Sequence, residues 1–185
     1  MSTPTPGQTV GPFFGYALPY ADGEHLVLAG RADAIRLTGR VLDGHGEPVP
    51  DALVEIWQRD ADGSTPQTAG SLARDGWTFT GFGRAPTDAT GRYTFTTLRP
   101  GRPATGGVAF IAIAVMARGL LDRLLTRVYL SDDDSALDDD PLLASLPADR
   151  RATLIAASDD AGYVFDIRLQ GEGETVFLNH GAAHR

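Results

Sequence analysis

Residues 108–130, VAFIAIAVMARGLLDRLLTRVYL, constrain this chain more than any other stretch. An apolar run over 108–117 is cut by Arg118 and Gly119, and a second apolar run follows over 124–130. Two short runs rich in Val and Ile, split by a Gly-containing turn, predict an antiparallel hairpin in a sheet interior. Side chains alternate along a strand. Val108, Phe110, Ala112, Ala114 and Met116 therefore share one face, and Ala109, Ile111, Ile113, Val115 and Ala117 the other. Both faces are apolar, which predicts cover on both sides.

The flanking chain reads as further strands. Residues 35–42, 52–58, 92–98 and 163–170 alternate with period two, and residues 175–178 are a further candidate. Turn sequences punctuate them at 43–46, 60–63 and 88–91. Residues 64–90 are Gly-rich and polar and read as irregular, anchored by Trp77, Phe79 and Phe82. Residues 147–157 are the one fair helix, with an early Pro, Asp149 in the first turn, and Leu154 and Ile155 for a buried side. Six or seven short strands with close turns and one short helix predict an all-β fold, a β-sandwich or open barrel.

Residues 1–34 read differently. Pro4, Pro6, Pro12 and Pro19 argue against a helix over 2–20, while Phe13, Phe14, Tyr16 and Tyr20 are too apolar for a solvated tail. The expected organisation is an extended N-terminal arm and linker over 1–34, a β-sandwich domain over 35–178 and a C-terminal tail over 179–185. At 185 residues the chain can bury a core without staples.

Composition excludes several functions. Cys is absent, so disulfides, thiolate metal sites and a Cys nucleophile are impossible. A Cys-free chain with no visible secretory signal is expected in the cytoplasm. A net charge of −8 argues against nucleic acid and anionic membranes as partners. It does not exclude a small anionic ligand, because one local Arg outweighs a distant field. Six Asp between 131 and 140 lack the Gly of a calcium loop and read as a solvated loop.

No catalytic constellation is visible. His25, His45, His180 and His184 lack the spacing of a metal pair. No nucleophile elbow or phosphate-cradling Gly loop occurs. Two arginines stand out. Arg118 ends a buried strand, where it either pairs with a local Asp or presents a fork to a carboxylate. Arg127 interrupts an apolar strand, and a buried ion pair is its expected role.

Several motifs, taken in order, resemble the intradiol ring-cleaving dioxygenases. They are QTVGPF at 8–13, LVEIWQ at 53–58 followed by DADG at 60–63, FGR at 82–84 followed by TDATG at 87–91, TLRPG at 97–101, ARG at 117–119, and FDIRLQG at 165–171. The ending GEGETVF at 171–177 is similar to the alpha type of subunit in the hetero-oligomeric members. The resemblance spans roughly residues 6–178 and implies an intradiol-dioxygenase-type β-sandwich.

The resemblance also implies a division of labour. In that family a beta subunit holds Fe3+ with two Tyr and two His, the His pair lying as H-x-H on the strand that opens the hairpin. The matching positions here are Phe110 and Ala112. The first Tyr position falls at Thr65, and the loop 98–107, where the second belongs, contains no Tyr. Hard ferric iron wants phenolate, imidazole and oxygen donors, so this chain is expected to hold no metal. The cofactor is expected in the partner beta subunit, and no catalytic residue is expected in this chain. Thr9, Gly11, Pro12, Phe13 and Arg118 are then expected to line the substrate pocket between the subunits, in a higher alpha-beta oligomer. The implied reaction is cleavage of 3,4-dihydroxybenzoate with O2 to 3-carboxy-cis,cis-muconate. A stand-alone β-sandwich binding module, or a self-sufficient dioxygenase with unusual ligands, are the rival readings.

Overall fold

The computed structural model describes residues 11, 13–68, 74–130 and 137–179. Among these, α1 (Phe14–Ala17) precedes β1 (Ala34–Leu42), β2 (Leu53–Gln58), β3 (Phe82–Pro86), β4 (Arg92–Leu98), β5 (Ile111–Met116) and β6 (Leu124–Leu130). Then follow α2 (Pro141–Ala144), α3 (Ala148–Ala152), β7 (Ile155–Asp159), β8 (Gly162–Val164) and β9 (Ile167–Arg168). The strands form one curled sheet in the order β3-β2-β5-β6-β7-β8-β1-β4, with β9 also on β1. The all-β fold expected from the strand pattern is the one observed.

Curling brings two halves of the sheet face to face. Val54, Ile56, Ile113, Val115 and Val128 on one half pack with Leu37, Val41, Tyr93, Phe95, Tyr163 and Ile167 on the other. Each is an alternate residue of its strand, so period two places them all inward. At the centre, Gly39 admits the Phe165 carbonyl where a Cβ would lie 1.8 Å from its oxygen. The buried Tyr93 hydroxyl donates to the same oxygen at 2.5 Å.

The hairpin forms as β5 and β6, in register Ile111↔Val128 to Val115↔Leu124. Its inner face, Ile111, Ile113 and Val115, is in the core. The outer face is covered over Ala114 and Met116 but left partly open towards Phe110, contrary to the expectation of full cover. At one end Met116 joins Phe14 and Leu53. At the other Phe110 packs on a cluster of Tyr129, Leu143 and Leu154. Between them Ala112 is half-buried and Trp57 stays 53% exposed.

Seven further expectations change. The helix over 147–157 stops after one turn, at α3, because Ile155 and Ala156 pair in parallel with Tyr129 and Leu130 and continue as β7. The Pro-rich arm does turn helical once, at α1, where no Pro interrupts and Phe14 gains a buried socket. Residues 82–86, read as irregular, form β3 through pairing with β2. Trp77 is no anchor, being 86% exposed. In the Asp-rich run, Asp140 is buried and caps α2, accepting from the amides of Leu142 and Leu143; residues 131–136 lie outside the described residues. Residues 163–170 divide into β8 and β9, because the Asp166 carboxylate between them turns to accept from the Arg40 amide. Residues 175–178 form no strand, but the Leu178 amide and the Thr126 hydroxyl tie them to β6.

Burial pushes the Tyr129 phenol up to about 12 and that of Tyr93 well above its ordinary value. Both folded values are raised, so the stability they lend is present below about pH 10 and is lost as pH rises toward 12. In an alkaline titration, tyrosinate absorbance from these two of the five Tyr should appear only together with loss of β-sheet circular dichroism. Five phenols ionising near pH 10 with the sheet intact would contradict this packing.

Candidate functional site

Two places on the outer face of β2 and β5 hold the residues singled out from the sequence. The first is a cavity of about 200 Å³ lined by Trp57, Thr65, Pro66, Pro103, Val108 and Phe110, among others. Thr65 and Phe110, far apart in sequence, therefore border one space, as does Pro103 from the loop 98–107. Ala112 is not on the lining; it pairs with Trp57 on β2 and with Arg127 on β6. Cross-strand partners put their side chains on the same face, so Arg127 rises beside Ala112. Its guanidinium lies over the Phe110 ring at 4.1 Å and reaches the Tyr129 hydroxyl at 3.5 Å. Among the described residues no carboxylate pairs with Arg127, so the expected ion pair gives way to a cation–π contact, worth about 0.5–2 kcal/mol.

This donor set does not suit ferric iron. The lining has neutral amide and hydroxyl groups at Gln58, Thr65 and Thr80 but no imidazole, phenol or carboxylate, and the guanidinium over Phe110 repels a second cation. Among the described residues no group of three His, Asp or Glu could hold a metal ion.

The second place lies at the opposite end of β5. Arg118 donates to the Asp51 carboxylate, Nη2 to Oδ2 at 2.6 Å. The Cβ of Asp51 in turn lies 3.8 Å from where a Cβ on Gly15 would be, so Asp51 sits close to α1 as well as to Arg118. Of the two sequence alternatives for Arg118, the ion pair with a local Asp is present. Its side chain is still 66% exposed. Phe13, at the start of α1, is 73% exposed, and Gly11 takes a left-handed φ of +88° with open space around it. Gly11, Phe13 and Arg118 thus belong to the α1 end of the chain. Thr9, Pro12, His180 and His184 lie outside the described residues. Six residues of chain at about 3.3 Å each separate Arg118 from Ala112 by roughly 20 Å. The two places cannot serve one small ligand.

The device that fixes the arm was missed in the sequence. Arg84 on β3 binds Glu55 on β2 through Nε at 2.8 Å and Nη2 at 2.6 Å, and its Nη1 donates to the Leu18 carbonyl at 2.6 Å. The Arg84 amide donates to the Gly23 carbonyl. Arg74 donates to the Tyr20 hydroxyl and to the Gly23 and Phe82 carbonyls. Both guanidinium groups lie 5.7 Å from the Tyr20 ring. Burial raises the Tyr20 phenol above its ordinary value despite these cations, so its hydroxyl stays protonated. The one sequence signal was FGR at 82–84, where Gly83 leaves room for Leu26 of the arm against Phe95 and Ile56.

Residues 10–171 match the dioxygenase family. The protocatechuate 3,4-dioxygenase alpha chain of Burkholderia cepacia is 40% identical, with 95% of this chain and 96% of that one aligned. The chain belongs to the dioxygenase family. The alpha chain from Pseudomonas putida is 39% identical, over 95% and 96% of the two chains. The beta chain of the Burkholderia cepacia protein is also a relative, 34% identical over 77% of this chain and 67% of its own. Among solved structures, catechol 1,2-dioxygenase from Acinetobacter sp. ADP1 has the same fold, with a TM-score of 0.56 at 22% identity over 78% of this chain and 55% of that one. The dioxygenase domain of a carbohydrate-binding fusion protein from Streptomyces sp. SirexAA-E gives a TM-score of 0.56 at 24% identity, over 91% and 99%. Among the described residues no helix is long and apolar enough to cross a membrane.

Arg84 and Glu55 are both largely buried, and breaking such a pair leaves one charge stranded, at about 3–5 kcal/mol. Arg84→Leu should lower stability by about that much in denaturant titration and open residues 14–26 to protease. An unchanged midpoint with a protected arm would show that Arg84 does not clamp it.

Proposed function

We propose that this chain is the non-iron-binding alpha subunit of a protocatechuate 3,4-dioxygenase. In this reading it completes the substrate pocket of an iron-bearing beta subunit, which cleaves 3,4-dihydroxybenzoate to 3-carboxy-cis,cis-muconate. The observation that carries the reading is the separation of the two places. The cavity at Thr65 and Phe110 is lined by no imidazole, phenol or carboxylate, and the Arg127 cation lies over the Phe110 ring. The arm and Arg118 face outward roughly 20 Å away by strand length. A carboxylate fork aimed away from its own chain's cavity suits a pocket on a neighbour. The similarity to both alpha and beta chains of one enzyme supports a hetero-oligomer.

The roles follow from the chemistry of each residue. Residues 1–34 act as the arm, with Thr9, Gly11, Pro12 and Phe13 against the substrate. Gly11 lets backbone approach a ring closely, because its left-handed φ carries no Cβ penalty. Arg118 orients the substrate carboxylate through charge-assisted hydrogen bonds. The chain acts in the cytoplasm, and its alpha-beta pairs assemble further.

Two measurements test the reading. Oxygen uptake with 3,4-dihydroxybenzoate should be absent for the chain alone and present after co-expression with the beta subunit. Turnover by the chain alone would favour a self-sufficient enzyme, and none on co-expression would favour a binding module. In the assembled enzyme Arg118→Ala should raise KM about 10- to 100-fold, the equivalent of about 1.5–3 kcal/mol, with kcat less changed. An unchanged KM at low and high salt would remove Arg118 from the pocket.

A further inference from the structure

We infer that Asp51 is a positioning residue that sets how strongly Arg118 draws the substrate carboxylate. The inference rests on the proposed role of Arg118 at the pocket. Asp51 occupies the turn entering β2 with φ +56°, a left-handed conformation that Asp and Asn tolerate better than most residues. That conformation turns its carboxylate toward α1 and the end of β5. One oxygen, Oδ2, accepts from Arg118 at 2.6 Å. The other, Oδ1, is buried and receives no hydrogen bond from any described residue. A desolvated carboxylate oxygen without a donor is unfavourable, so the Arg118 contact is what holds this charge in place.

The consequence for binding is specific. Asp51 neutralises part of the field of Arg118 and stands as a second anion beside any carboxylate that the guanidinium receives. It also aims the guanidinium, whose remaining donors are free to face outward. An amide at position 51 separates the two effects. Its oxygen still accepts from Arg118 and its backbone tolerates the left-handed turn, but its charge is gone. The charge of Asp51 therefore weakens capture of an acidic catechol relative to a neutral one, while its position keeps the fork aligned.

The test uses the assembled alpha-beta enzyme. Asp51→Asn should lower KM for 3,4-dihydroxybenzoate about 3- to 10-fold, the scale expected for removing one partly screened like charge. The effect should fall on KM rather than kcat, and should shrink at high salt. Binding of catechol, which lacks the carboxylate, should not change. In the double variant Asp51→Asn/Arg118→Ala the gain should vanish, because Asp51 acts through Arg118. An Asp51→Asn enzyme with unchanged or raised KM for the acid, in a background where Arg118→Ala raises KM, would overturn the role of Asp51 alone. Loss of catechol binding in step with the acid would reveal a merely structural residue and overturn it as well. If Arg118→Ala leaves KM unchanged, the reading of Arg118 fails and the inference fails with it.

Discussion

The register between β2 and β5, Leu53↔Met116 through Gln58↔Ile111, decides the character of every surface in this molecule. Period two then sends Val54, Ile56, Ile113 and Val115 inward and leaves Trp57, Ala112 and Arg127 outward. A slip of β2 by one residue would turn Glu55 and Trp57 into the core and expose Val54 and Ile56. The Glu55–Arg84 pair depends on the same register, since Glu55 lies opposite Arg84 on β3 and Ala114 on β5. A large side chain in place of Ala114 would crowd that pair.

With the register set, the outer face acquires two ends of different chemistry. At the Phe110 end, an arginine stacked on a phenyl ring fills the region where the resemblance places imidazole ligands. A guanidinium is permanently charged and cannot act as a metal ligand. At the Met116 end, the socket for Phe14 and the clamp of Arg74 and Arg84 around Tyr20 hold residues 14–26 against the sheet. The Leu26 amide and the Thr96 carbonyl complete the attachment at 2.8 Å. Residues fixed at these points carry no large ordering cost in binding a partner.

The sequence made the framework legible where a local rule sufficed. Alternation located β1, β2, β4 and the hairpin, and the turn sequences located the bends between them. It failed where a partner strand decided the outcome. FGRAP contains Gly and Pro and has no clean alternation, yet β2 recruits it as β3. The stretch LIAAS suits a helix as well as a strand, and only the exposed edge of β6 makes it β7. At the site, the missing ligand types at Phe110 and Ala112 could be read from residue identity alone. The Arg127 stacking could not, because it needs the cross-strand pairing with Ala112. Asp51 carried no sequence signal at all, since its part depends on a left-handed turn and on an arginine 67 positions away.

The Phe110 end, with Arg127 over its ring, offers iron no imidazole or phenol, and the proposed work of the arm lies at a partner's site. Iron analysis of the chain purified alone from iron-replete cells separates that arrangement from a self-sufficient enzyme. The expected content is well under about one tenth of an iron per chain, with no visible tyrosinate-to-iron absorption. One tightly held ferric ion per chain, retained through gel filtration without a partner, would contradict it.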